Sequence, residues 1–308
     1  MITKDKLLRN YLLKFGVMIA VLLMSGMLTA CHSTKKASHN DKLKIVATTD
    51  FYGEAAKAVV GSKGTVKSVI HSATVDPHDY EPTTSVASEV SQADVVIASG
   101  IGYDSWMNKL VKNGKSTVVD IKIGEDVMGK KMGDNPHIWY NPQTMPRYVK
   151  YLANKLSKRQ PKNKAYFHKN AQKYVQSLQP INREIAKLKT QAAQKKYNKV
   201  FVSEPVFDYA LEALGYQVAD QNFENAMEKG VDPAVQEIKK MQTEIKARKI
   251  AFFVYNEQAS DKTVTNFVKL AKKSKVPVLK VTETLPSHEN YKQWMLSQYQ
   301  ELSSILSN

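Results

Sequence analysis

From residue 43 onward the chain repeats one pattern, a short apolar segment followed by a polar or helix-patterned one. Residues 43–47, 65–70, 94–98 and 116–121 make a first series of strand-like segments, and 199–202, 249–255 and 276–281 make a second. Helix patterns separate members of the second series, at 233–247 and 261–273. In the latter Val264, Phe267, Val268 and Ala271 fall at i, i+3, i+4 and i+7, giving one apolar face. Strands that alternate with helices build parallel sheets covered on both sides, since each crossover returns the chain to the same end of the sheet. The pattern predicts an α/β fold of two lobes with parallel-rich sheets.

Between the two series, residues 162–195 are nearly continuous helix former, with apolar positions at Tyr166, Tyr174, Leu178, Ile181, Ile185 and Leu188. This suits a long rigid helix joining the lobes, kinked or divided by Pro180. About thirty helical residues span roughly 45 Å, enough to cross a small domain. The expected organisation is a signal peptide at 1–30, a lipid-anchored flexible linker at 31–42, an N-terminal lobe at 43–160, the linking helix at 161–196 and a C-terminal lobe at 197–308.

The first segment reads as an export signal. Lys4, Lys6, Arg9 and Lys14 precede an apolar run, 15–28, that is too short to span a bilayer stably. Leu28, Thr29 and Ala30 then lead into Cys31, the single cysteine of the chain, in an arrangement that resembles the lipobox of bacterial lipoproteins. Cleavage before Cys31 and lipidation of its thiol would tether the protein to the outer face of the cell membrane. A lone cysteine excludes an intramolecular disulfide and a structural zinc site built on thiolates. The formal net charge of +16 falls to about +13 without the leader. Its lysines are scattered along helix patterns without interleaved aromatics, so attraction to an anionic surface explains them better than nucleic acid does.

Two histidines follow prolines directly, in Asp76-Pro77-His78-Asp79-Tyr80-Glu81-Pro82 and Asn135-Pro136-His137-Ile138-Trp139. Proline restricts its own backbone and that of the preceding residue, so each imidazole hangs from a stiff frame suited to a metal ligand. In open α/β sheets ligands gather beyond the carboxyl ends of strands. His78 and His137 lie after strands of the first series, Glu204 follows 199–202, and Asn256, Glu257, Gln258, Ser260 and Asp261 follow 249–255. Two imidazoles with one or two carboxylates suit Zn2+ or Mn2+ in a cleft between the lobes. Asp76, Asp79 and Glu81 are candidates to fix a histidine tautomer. Taken alone, His71, His168 and His288 read as ordinary surface or core histidines, and Glu204 ahead of Pro205 also suits a helix N-terminus.

Together the two Pro-His segments, Ser203-Glu204-Pro205-Val206-Phe207-Asp208-Tyr209, and Thr282-Glu283-Thr284-Leu285-Pro286 with Trp294-Met295 resemble the lipid-anchored substrate-binding proteins of bacterial ABC transporters for zinc and manganese. The resemblance covers essentially the whole chain beyond the leader. It implies two α/β lobes joined by a long helix, one Zn2+ or Mn2+ ion in the cleft, and delivery by a monomer to a membrane permease. It also implies His78, His137 and Glu204 as ligands. The usual fourth aspartate has no clean match in Asn256-Glu257-Gln258-Ala259-Ser260-Asp261, where Asp261 is the expected ligand and Ser260, Asn256, Gln258 or a water the alternatives. The acid- and histidine-rich loop of some zinc members is missing, since 124–134 has three acidic and two basic residues and no histidine. Rival readings are a secreted metallohydrolase using the same ligands with a bound water, and a surface adhesin. No His-Glu-x-x-His helix supports the hydrolase.

Overall fold

In chain order the elements are β1 (Leu43–Thr49), α1 (Asp50–Val60), β2 (Gly64–Ile70), α2 (Thr84–Ser91), β3 (Val95–Ala98), α3 (Trp106–Lys112), β4 (Val119–Lys122), α4 (Thr144–Arg159), α5 (Lys164–Ser177), α6 (Gln179–Ala193), β5 (Lys199–Val202), α7 (Asp208–Leu214), β6 (Gln217–Val218), α8 (Gln221–Glu228), α9 (Val235–Lys246), β7 (Phe253–Asn256), α10 (Lys262–Lys273), β8 (Val278–Val281) and α11 (Tyr291–Ser307). They come from a computed structural model that describes residues 42–307 apart from 76, 79, 259 and 260. The leader, the linker and Cys31 lie outside the described residues. Among the described residues no helix is long and apolar enough to cross a membrane.

The strands form two four-stranded sheets in the orders β2-β1-β3-β4 and β6-β5-β7-β8, every pairing parallel. The α/β reading from strand–helix alternation therefore holds, with the same topology used twice. Short apolar segments made the strands legible, except β6, whose two residues are half-exposed or exposed and carry no periodic signal. In each sheet the strand order reverses beside the first strand, leaving a crevice at the carboxyl ends of β1 and β3 and of β5 and β7.

Because side chains alternate across a strand, each sheet feeds two cores. In the first lobe Val46, Val96 and Ala98 pack under α2 and α3, while Ile45, Ala47, Val95 and Ile97 face α1 and α4. In the second, Phe201 and Phe253 pack with Phe223, Met241 and Phe267, while Val200, Val202, Val254 and Leu279 face the opposite way. The two inward sets join one continuous apolar cluster that runs through both lobes.

Aromatic rings weld this junction. Phe51 of α1 lies 5.2 Å from Trp139 and 5.6 Å from Trp294 of α11, and Tyr140 lies 5.7 Å from Trp294 and 5.0 Å from Phe207. Trp139 and Trp294 are fully buried. Hydrogen bonds tie the same seam: the Tyr291 hydroxyl donates to the Trp139 carbonyl at 2.6 Å, and the Tyr291 amide donates to the Glu54 carboxylate at 2.8 Å.

The expected linking helix is two helices that meet at Leu178. Pro180 falls in the first turn of α6, where its missing N–H costs nothing, so it ends α5 rather than bending a single rod. α5 packs on α1 and α4, and α6 packs on α7 and α11, so the pair carries the chain from one lobe to the other.

Truncating Trp294 to alanine removes a buried ring from the shared seam. A loss of about 3–5 kcal/mol of unfolding free energy is expected, read by denaturant titration with intrinsic fluorescence and circular dichroism. A change below about 1 kcal/mol would show that the seam does not hold the lobes together.

Candidate metal centre

His78, His137 and Glu283 bring one donor atom each to within 4.8 Å of one another. All three follow carboxyl ends of strands: His78 follows β2, His137 ends the connection after β4, and Glu283 comes two residues after β8. Glu283 Oε1 lies 4.0 Å from His78 Nε2 and 3.8 Å from His137 Nε2.

His137 is the most constrained member, with no solvent exposure. It precedes a buried 3-10 turn, Ile138–Tyr140, whose Trp139 and Tyr140 belong to the aromatic seam. Asn135 fixes its tautomer. The Asn135 side-chain amide donates to the Pro205 carbonyl at 2.6 Å, which turns its oxygen toward His137, where it accepts from the backbone N–H and from Nδ1–H, both at 2.9 Å. The lone pair is thereby placed on Nε2. That atom is buried and has no hydrogen-bond partner among the described residues. The Tyr209 hydroxyl donates to the Asn135 carbonyl at 2.9 Å, so the second lobe holds this loop.

His78 sits at the mouth, its side chain 34% exposed. Its ring meets Tyr103 edge-on at 4.7 Å. Pro77 is buried, and the Trp106 indole donates to its carbonyl at 3.3 Å while Tyr80 packs on the Trp106 ring. Asp76 and Asp79 lie outside the described residues, and Glu81 is exposed.

Glu283 is fixed from both lobes. The Tyr103 hydroxyl of the first lobe donates to its Oε1 at 2.9 Å. Tyr103 is aimed by a tight loop in which buried Asp104 accepts from the backbone N–H groups of Ser99 at 2.7 Å and Gly100 at 2.9 Å. Gly100 has φ +82, and any side chain there would strike the Glu125 carboxylate. From the second lobe, the Gln258 side-chain oxygen accepts from the amides of Glu283 at 2.7 Å and Thr284 at 2.9 Å, and its nitrogen donates to the Ala73 carbonyl at 3.0 Å. Burial works to raise the Glu283 carboxyl, but the two histidines and Tyr103 outweigh it and hold it below its ordinary value. Burial likewise opposes charge on His137, yet Glu283, Glu228 and Asp208 outweigh it and raise its proton affinity.

The remaining expected positions divide. Glu204 lines the cavity it shares with Glu283, Asn256 and Gln258, and its Oε2 accepts from the Asn256 side chain at 2.7 Å. Burial is the largest influence on it and pushes its carboxyl up to about 7. α7 begins only at Asp208, so Glu204 does not serve the first turn of that helix. Asp261 is not one of the three residues of the His78–His137–Glu283 cluster and, together with Glu204, lines a second cavity. Its carboxylate accepts from the amides of Thr263 at 2.6 Å and Val264 at 3.0 Å and caps α10. The amide oxygens of Asn256 and Gln258 are also engaged, accepting from backbone N–H groups. Ser260 lies outside the described residues.

Glu283 was open to discovery by the same rule that singled out Glu204, since it follows the strand-like 276–281 directly. Tyr103 and Glu228 carry no comparable sequence signal.

Comparisons with known proteins identify the family. The model of the ZnuA family, described as zinc-uptake complex component A, periplasmic, matches residues 45–305. The iron ABC transporter substrate-binding lipoprotein MtsA of Streptococcus pyogenes is 33% identical over 216 residues, 66% of this chain and 69% of that protein. The manganese ABC transporter substrate-binding lipoprotein PsaA of Streptococcus anginosus is 32% identical over 217 residues, with the same shares. Among solved structures, the Zn(II)-bound ZnuA-like domain of Streptococcus pneumoniae AdcA has a TM-score of 0.67 at 25% identity, covering 87% of this chain and 100% of that one. A Mn-bound periplasmic metal binding protein from Candidatus Liberibacter asiaticus, at 17% identity and a TM-score of 0.69, covers 86% of this chain and 100% of that one and bears on the fold alone. With both lobes and the cleft inside the matched residues, this chain belongs to the ZnuA family of metal-uptake components.

Proposed function

We propose that this protein is an extracytoplasmic receptor, lipid-anchored at Cys31, that captures one divalent first-row metal ion in its cleft. As a monomer it hands the ion to the permease of an ABC importer. The observation that carries the reading is His137 Nε2, buried without a hydrogen-bond partner among the described residues, its other nitrogen held by Asn135, and grouped with His78 and Glu283. A buried imidazole lone pair with no donor to satisfy it suits a cation.

The proposed ligands are His78, His137, Glu283 and Glu204. Asp261 is left to the helix it caps. Two neutral imidazoles and two carboxylates would neutralise a divalent ion, and the set suits Zn2+, Mn2+ or Fe2+. The relatives named as iron and manganese ABC transporter substrate-binding lipoproteins, and the Zn(II)-bound neighbour, support that range. The ion is cargo, so no bond in it is made or broken. Membership of a family of uptake components favours transport over hydrolysis or adhesion.

Removing His137 as H137A is expected to abolish stoichiometric metal, measured by elemental analysis of protein purified without chelator. Retention of one ion per chain would refute the site. N135A leaves the imidazole in place but frees its tautomer, and a loss of about 10–100-fold in metal affinity is expected from competition titration. An unchanged affinity would show that Asn135 does not orient the ligand.

Protons compete for the same atoms. Glu204 is raised to about 7 and His137 is raised as well, so both hold protons more tightly than free side chains and must release them when the ion binds. Affinity should therefore fall as pH drops from about 8 to about 6, by about ten-fold per unit for each proton displaced. Calorimetry in buffers of different ionisation enthalpy would count those protons, and E204Q should remove part of the slope. A flat profile would contradict the assignment.

A further inference from the structure

A third carboxylate reaches the histidines from an unexpected place. Glu228, the last residue of α8, puts Oε1 3.5 Å from His78 Nε2 and 4.0 Å from His137 Nε2. The corresponding separations of Glu283 are 4.0 Å and 3.8 Å. Two carboxylates thus address the same pair of imidazole nitrogens at equal range. Donor atoms around an ion with bonds near 2.1 Å lie about 3.0 Å apart when cis in an octahedron and about 3.4 Å apart in a tetrahedron. Small side-chain adjustments would bring Glu228 to either spacing.

Its placement is built rather than incidental. α8 is anchored by Phe223, fully buried and edge-on to Phe267 at 5.2 Å. The helix is closed by a turn in which Gly230, at φ +62, donates to the Met227 carbonyl at 2.9 Å and Val231 donates to Ala226 at 2.9 Å. A carboxylate at a helix C-terminus faces the negative end of the macrodipole, an unfavourable position unless positive charge lies nearby. Glu228 keeps its side chain only 21% exposed there, turned toward the cleft while neighbouring Lys229 is exposed.

Building on the receptor reading above, we propose that Glu228 is a direct oxygen ligand of the cargo ion. It is a fifth side chain beside His78, His137, Glu204 and Glu283, and biases the site toward an oxygen-preferring ion such as Mn2+ over Zn2+. Zn2+ is satisfied by four donors, whereas Mn2+ takes more oxygens and gains from a third carboxylate.

The test uses competition titrations of the purified full chain with Mn2+ and with Zn2+, for wild type, E228Q and H137A, with thermal unfolding as the check on folding. E228Q keeps the size of the side chain and removes the anionic oxygen. Its Mn2+ affinity is expected to fall about ten-fold or more while Zn2+ affinity falls less than about three-fold. H137A should lose both. If H137A loses both metals and E228Q leaves the Mn2+ to Zn2+ ratio unchanged, Glu228 is not a selective ligand and the receptor reading stands. If H137A keeps both, the metal site itself is misplaced and this inference falls with it. A wild type that binds Zn2+ but no Mn2+ also overturns it.

Discussion

The aromatic seam between the lobes is the constraint on which the rest depends. Phe51, Trp139, Tyr140, Trp294 and Phe207 come from distant parts of the chain and pack as one cluster, so the carboxyl ends of the two sheets face each other across a fixed gap. A metal ion tolerates ligand misplacement of only about 0.2 Å, and a close-packed interior transmits position well. The link is direct at 137–140, where one short segment supplies both a ligand candidate and two rings of the seam. Connected by two packed helices rather than a free tether, the lobes form a frame suited to a cargo of atomic size.

Around this frame the polar groups are wired so that each acid or imidazole presents a chosen atom. Asn135 spans from Pro205 in one lobe to His137 in the other, and Gln258 pins the backbone of Glu283 while reaching Ala73 across the cleft. Such hydrogen bonds remove alternative rotamers and tautomers before an ion arrives, reducing the entropy lost on capture. The charge pattern fits the same purpose. A strongly basic chain encloses a cleft lined by Glu204, Glu228 and Glu283, and salt screens the exposed lysines within about 8–10 Å, leaving these partly buried carboxylates to shape the local field.

The sequence was most readable where physics is local. Continuous apolar runs marked the central strands because parallel strands are buried on both faces, and proline frames marked His78 and His137 because proline stiffens its own neighbourhood. It was least readable where two local rules competed. Asp261 stands after a strand, as a ligand would, but it also opens the helix pattern 261–273, and its Oδ1 caps α10. The long helix-forming run, expected to be kinked or divided by Pro180, is divided there into two helices.

By itself, the sequence determined the α/β class, the two series of strands, the stiff histidine frames and the chemistry on offer, imidazole and carboxylate without thiolate. Only the tertiary structure decided which carboxylates meet the imidazoles. Glu283 is more than two hundred residues from His78, and Glu228 ends a helix with no motif around it. Propensity and periodicity act over a few residues, whereas these meetings are set by the packing of two sheets and a shared aromatic core, which no local pattern encodes.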